Sequence, residues 1–213
     1  MSEPTRKQPT RTRKIGSRLR LFDCVSCDKC IPGCHAGAML TYATPVTASL
    51  SQEAFVTDAG QVGVRAGKPF RIDQPVQYAV WLDDCDECGD CDSCCPEDGG
   101  PHLSKPRLHS SHRSFEDDAA RDGIYLSSTA ELIVIEGRLD GHSYRVERGR
   151  DEDDARLSDG VLTVVLDAQS GAIRSAAAVA GAEPPIGHRL AVHAGRSLLA
   201  IAAGLLDALE SRQ

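Results

Sequence analysis

Apolar residues recur at every second position in several short stretches of this 213-residue chain. That is the period at which a strand turns successive side chains to opposite faces. Residues 75–82 alternate through Val76, Tyr78, Val80 and Leu82 and predict a strand. Phe55–Val56 and Val62 with Val64 flank a turn at Asp58–Gly60, which predicts a hairpin over 54–64. The run Leu132-Ile133-Val134-Ile135 and residues 143–147, joined at Asp140–Gly141, predict a second hairpin. Two further strands are predicted over 161–167 and 172–179, with a charged loop at Asp151–Asp154 before them. The period changes near the C-terminus. Leu190, Ala194, Leu198, Ile201, Leu205 and Leu209 recur at three- and four-residue steps, predicting a helix over 187–211 that lies on the four-stranded sheet. Ala36–Tyr42 reads as one or two helical turns stopped before Pro45. Gly99, Gly100, Pro101 and Pro106 mark irregular chain.

Composition narrows the function classes. Hydrophobic residues make up 41%, enough for a core, whereas aromatics make up 4%, too few for base stacking. Net charge is −7 and unevenly placed. Residues 1–20 carry seven basic side chains against Glu3, a flexible basic arm on an acidic body, and the acidic body argues against nucleic acid as the main partner. No stretch of 18 apolar residues predicts a membrane span, and no apolar segment near Met1 predicts a secretory signal. A cytoplasmic location is the expectation. Cysteines there serve as metal ligands or redox groups rather than structural disulfides.

Nine cysteines all fall within residues 21–115. Eight form two runs of one spacing: Cys24-x2-Cys27-x2-Cys30-x3-Cys34 and Cys85-x2-Cys88-x2-Cys91-x3-Cys95, the second followed by Pro96. Three thiolates two residues apart fit a tight loop around a cubane, and a fourth three residues on begins a segment that points away. Zinc also takes four soft thiolates at short spacing, but zinc ribbons and fingers use pairs, leaving the third cysteine of each run surplus. Cys94, beside Cys95, reads as a packed free thiol. His35 stands where the second run has proline and reads as a tolerated substitution. Around the second run lie Asp83, Asp84, Asp86, Glu87, Asp90, Asp92, Glu97 and Asp98. They would lower a cluster's potential and offer a face to a basic partner. No dinucleotide or phosphate-binding glycine motif follows a strand. His109 and His112 read as surface residues, and no nucleophile–base pair stands out.

Both runs resemble those of bacterial two-cluster ferredoxins. The resemblance implies two [4Fe–4S] clusters with the fourth ligands exchanged: Cys24, Cys27, Cys30 and Cys95 on one, Cys85, Cys88, Cys91 and Cys34 on the other. The stretch from Cys85 to Leu108 is similar to the C-terminal ferredoxin part of selenate-reductase-type, glutamate-synthase-small-subunit-like flavoproteins, matching at Cys85, Cys88, Cys91, Cys95, Pro96, Gly99, Pro101 and Lys105. That likeness implies electron exchange with an FAD- and NAD(P)H-binding flavoprotein as a separate subunit. The resulting expectation is an α+β chain. A basic arm (1–20) precedes a ferredoxin-like βαββαβ two-cluster domain (21–115), and a small antiparallel sheet with a C-terminal helix follows (116–213). Its expected role is to relay electrons, with no substrate site of its own. A zinc-bound structural or regulatory module and a free-standing soluble ferredoxin are the alternatives.

Overall fold

The computed structural model describes residues 11–210, apart from the side chains of Leu209 and Glu210. It is mostly β. In chain order the strands are β1 (Met39–Ala43), β2 (Thr47–Ser49), β3 (Gln52–Val56), β4 (Val62–Ala66), β5 (Phe70–Ile72), β6 (Val76–Trp81), β7 (Arg107–His109), β8 (Gly123–Ser128), β9 (Leu132–Leu139), β10 (His142–Gly149), β11 (Asp154–Ser158), β12 (Leu162–Asp167), β13 (Ile173–Ala178) and β14 (Arg189–Ala191). The helices are α1 (Cys30–Gly33), α2 (Asp90–Cys94), α3 (Pro101–Ser104), α4 (His112–Asp117) and α5 (Val192–Glu210).

Nine strands form one mixed sheet in the order β1-β6-β7-β8-β9-β10-β11-β12-β13. β6 pairs with β7, and β7 with β8, in parallel; the other neighbours are antiparallel. This corrects the expected α+β fold of a ferredoxin-like βαββαβ domain followed by a small antiparallel sheet. The sheet runs without interruption from the cysteine-bearing half into the cysteine-free half. The physical reason lies in β7. Arg107–His109 follow Pro106, which marks irregular chain, yet they bridge Val80 and Trp81 on one side to Ile124 and Tyr125 on the other. The cysteine runs close in helices of four and five residues, too short to be the crossover helices of a βαββαβ unit.

Two local expectations also change. Ala36–Tyr42, read as helical turns, lead into β1, where Met39 and Tyr42 are buried and Thr41 is exposed. Asp154, read as the end of a charged loop, opens β11, whose Ala155 and Leu157 turn inward while Arg156 turns out. The hairpins at β3–β4 and β9–β10 and the strands β6, β12 and β13 fall where the alternation predicts them. The long helix begins at Val192 rather than 187, because residues 189–191 pair with β3.

The sheet has two covered faces near β6. On one, α5 lays Leu198, Ile201 and Leu205 against Ile135, Val146 and Leu157 to make the main core. Contact is close: a Cβ on Gly137 would stand 2.5 Å from Leu198 Cδ2. On the other face a smaller cluster of Ala38, Met39, Tyr78, Val80 and Cys91 lies under the cysteine loops. β6 therefore has no solvent face over most of its length. Ala79 enters the main core while Tyr78 and Val80 enter the smaller cluster. Its polar Gln77 is buried too. The amide donates to Gln74 O at 2.7 Å and accepts from Asp23 N at 3.0 Å, so burial leaves it paired.

Candidate functional site

The two cysteine runs repeat one backbone course. The residues on either side of each second cysteine take left-handed φ: Ser26 (48°) and Asp28 (57°) around Cys27, Glu87 (53°) and Gly89 (76°) around Cys88. Each run then enters its short helix. The amide of each fourth cysteine donates to the carbonyl of the third, Cys34 to Cys30 and Cys95 to Cys91, both at 3.1 Å. Ser26, Asp28 and Glu87 have side chains, so each left-handed residue costs on the order of 1 kcal/mol, and such strain gathers at functional sites. Alternation of this kind turns successive amides into a concavity that favours an anion, iron–sulfur clusters included. Ser26 N already lies 3.4 Å from Cys24 Sγ.

The cysteines are not gathered by run. A small hollow is lined by Cys24, Cys27, Cys30 and Cys95, together with Tyr78, Glu97 and Lys105. A second is lined by Cys34, Cys85, Cys88 and Cys91, together with Met39, Val80 and His102. Each thus draws three cysteines from one run and the fourth from the other. Tyr78 and Val80, two residues apart on one face of β6, floor the two hollows. That sets the floors roughly 7 Å apart along the strand. Cys94 lines neither. Its buried thiol donates to Lys29 O at 3.2 Å and sits where a Cβ on Gly33 would meet it at 2.5 Å, so it is part of the α1–α2 packing.

Sulfur spacing separates a single ion from a larger occupant. A tetrahedral zinc with Zn–S of about 2.3 Å holds its sulfurs roughly 3.8 Å apart. Among the described residues, no three cysteine sulfurs lie mutually within 4.8 Å. The group that does meet this limit is the exposed trio His35, Asp86 and Cys88.

Burial disfavours the thiolate at Cys30 and Cys91. Desolvation, reinforced by Cys24 and Cys27, pushes Cys30 up to about 12. Desolvation also pushes Cys91 up to about 11, against a hydrogen bond from the His102 backbone that lowers it. A metal that binds these two thiols must displace their protons.

The surroundings differ between the hollows. Beside the first, the buried Glu97 carboxylate accepts from Ser17 Oγ at 2.7 Å and from Val25 N at 3.1 Å. The Tyr78 hydroxyl donates to the Asp28 carboxylate. Beside the second, His102 Nδ1 lies 3.3 Å from Cys91 Sγ and His35 Nδ1 lies 3.7 Å from Cys88 Sγ. His35 Nε2 also meets Asp86 at 3.0 Å. His102 is given no site role by the sequence, although it follows the second run closely in Gly-Gly-Pro-His.

Residues 11–20 of the basic arm run beside the second cysteine run. Thr12 N donates to Ser93 O, Ile15 N to Pro96 O and Leu19 N to Asp98 O, at 2.8–3.0 Å. Lys14 Nζ reaches Asp92 at 2.8 Å and Glu97 O at 2.8 Å. Residues 1–10 of that arm lie outside the described residues.

No protein-family model, curated protein or solved structure matches this chain.

The geometry of the hollows is therefore what bears on function. One histidine expectation changes with it. His112 is exposed as read, but His109 is buried at 4% exposure. Its Nδ1 meets Ser114 Oγ at 2.9 Å and its ring packs edge-on against Phe115 at 5.6 Å. Burial lowers its pKa and keeps it neutral. Ser114 in turn donates to Asp83 at 2.8 Å, tying β7 and α4 to the 3-10 turn Leu82–Asp84 just before Cys85. That is a positional role for a histidine that the serine-rich sequence around it conceals.

Proposed function

We propose that this chain is an electron-transfer protein with two [4Fe–4S] clusters. One is held by Cys24, Cys27, Cys30 and Cys95, the other by Cys34, Cys85, Cys88 and Cys91. The observation that carries the reading is the pair of four-cysteine hollows on one face of β6, each drawing three cysteines from one run and the fourth from the other. The left-handed residues around Cys27 and Cys88 support it, because they build the amide concavities that suit an anionic cluster. When bound, such clusters supply one-electron chemistry. The chain's own residues hold them, keep water off with Met39, Tyr78 and Val80, and set their potentials through charge and hydrogen bonds to sulfur.

Its place is a subunit that relays electrons to or from an FAD-containing NAD(P)H oxidoreductase, of the selenate-reductase type that residues 85–108 resemble. No substrate site of its own is part of the proposal. A cytosolic setting belongs to it as well, since reduced thiols persist there. Among the described residues, no helix is long and apolar enough to cross a membrane. A second reading, a zinc-bound structural module, draws on the exposed His35–Asp86–Cys88 trio. It employs one of the eight cysteines and leaves both hollows unexplained.

The relay is tested by capturing partners on the tagged chain without oxygen and adding NADH or NADPH. Bleaching of the iron–sulfur absorbance through a captured flavoprotein is the expected result. If no flavoprotein or other redox enzyme reduces or oxidises the chain, the relay role fails even where the clusters stand.

A further inference from the structure

The two hollows carry unlike charge. Lys105, 3% exposed, lines the Cys24–Cys27–Cys30–Cys95 hollow. Its ammonium has three protons to donate. Among the described residues it makes one hydrogen bond, to Asp23 O at 3.3 Å, and no ion pair. A buried cation left this bare is expensive unless negative charge stands opposite it. The groups that line the hollow with it are Cys24, Cys27, Cys30, Cys95 and the Glu97 carboxylate, and Asp23 stands beside it. The Glu97 carboxylate is already engaged by Ser17 and Val25, and the Asp23 carboxylate accepts from the amides of Asp73 and Gln74. What remains for Lys105 is the sulfur side of the hollow. Among the described residues no lysine or arginine lines the other hollow; Asp86, Glu87 and His102 do, and the buried Arg107 behind it is paired with Glu87 and Asp118, each at 3.5 Å.

From this asymmetry we infer that Lys105 sets the potential of one centre: its buried ammonium stabilises the electron added to the cluster held by Cys24, Cys27, Cys30 and Cys95, and makes that centre the easier of the two to reduce. The inference rests on the two-cluster reading above. The electron, supplied by an external reductant, adds one negative charge to the cluster and its thiolates. No proton needs to move. Lys105 already stands beside that charge in a water-poor site, where its interaction is screened little. It is a positioning charge, not a ligand.

The test is an anaerobic dithionite titration of the full chain, followed by electron paramagnetic resonance, with iron measured in each sample. Wild type is compared with Lys105→Met, Lys105→Gln and Lys105→Arg. In the neutral variants one of the two centres becomes harder to reduce. Its oxidised-to-reduced ratio at the wild-type midpoint rises about tenfold, which is 59 mV for one electron. The other centre stays put, and Lys105→Arg stays near wild type at both. Iron lost from Lys105→Met and Lys105→Gln but kept in Lys105→Arg supports the same role, because the charge then holds the anionic group in place. Loaded neutral variants with both midpoints unmoved overturn it. So does an equal shift of both centres, or iron loss from all three variants. Wild type without iron overturns the two-cluster reading and this role together, whereas a loaded wild type with unmoved variants overturns the role of Lys105 alone.

Discussion

Alanine at Cys95 removes the same centre as alanine at Cys24, although 70 residues separate them in sequence. Each variant loses one cluster and keeps about four irons per chain. The decisive comparison is between double variants. Cys24→Ala with Cys95→Ala still keeps about four irons, because both residues line one hollow. Cys24→Ala with Cys85→Ala keeps none, because the two line different hollows. Iron analysis with electron paramagnetic resonance separates these outcomes. If Cys24→Ala with Cys95→Ala empties the chain while Cys85→Ala with Cys95→Ala keeps one cluster, the ligands group by run, and the exchange is wrong. Partial unfolding of the affected loop is expected alongside, since left-handed Ser26 and Asp28 lose the occupant that justifies them.

The second large effect concerns the sheet rather than the cysteines. Leu198→Ala is expected to destabilise the chain by about 3 kcal/mol, within the range for a fully buried leucine whose surroundings relax little. Leu198 has no exposure and sits over Gly137, where β9 presents no side chain to fill the gap. On a chain of this size the melting temperature falls by roughly 6–12 °C. Thermal unfolding followed by circular dichroism reads it. A loss under about 1 kcal/mol would mean that α5 does not clamp the sheet as described.

These two effects mark where the sequence was and was not legible. Strands whose signal is local declared themselves. The Asp140–Gly141 turn and the Leu132–Ile135 run placed β9 and β10, and the Asp58–Gly60 turn placed β3 and β4. Their assembly into one sheet was not legible. β1 pairs with β6 from Met39↔Val80 to Ala43↔Val76 across more than thirty intervening residues. The link between the two halves is the three-residue β7 behind a proline. Neither leaves a periodic trace. Polar residues misled in the same way: Gln77 and His109 look solvent-facing, yet hydrogen bonds to Asp23, Gln74 and Ser114 make their burial tolerable.

At the candidate site the spacing x2-x2-x3 singled out the eight cysteines and set Cys94 apart. Which fourth cysteine joins which three came from the ferredoxin resemblance, because spacing along one run says nothing of the other. The rest of the site depends on backbone angles and burial. Ser26 and Glu87 are not residues that announce a left-handed turn. Lys105 stood out in the sequence only as a matching letter; its near-complete burial in the hollow of Cys24 and Cys30 is what leaves its charge little screened.

The measurement that bears most directly on the central claim is the iron, sulfide and zinc content of protein purified without oxygen, with a visible spectrum before and after dithionite. The account predicts a brown protein with about eight irons and as many sulfides per chain, bleached on reduction. A colourless protein with zinc and no iron would contradict it.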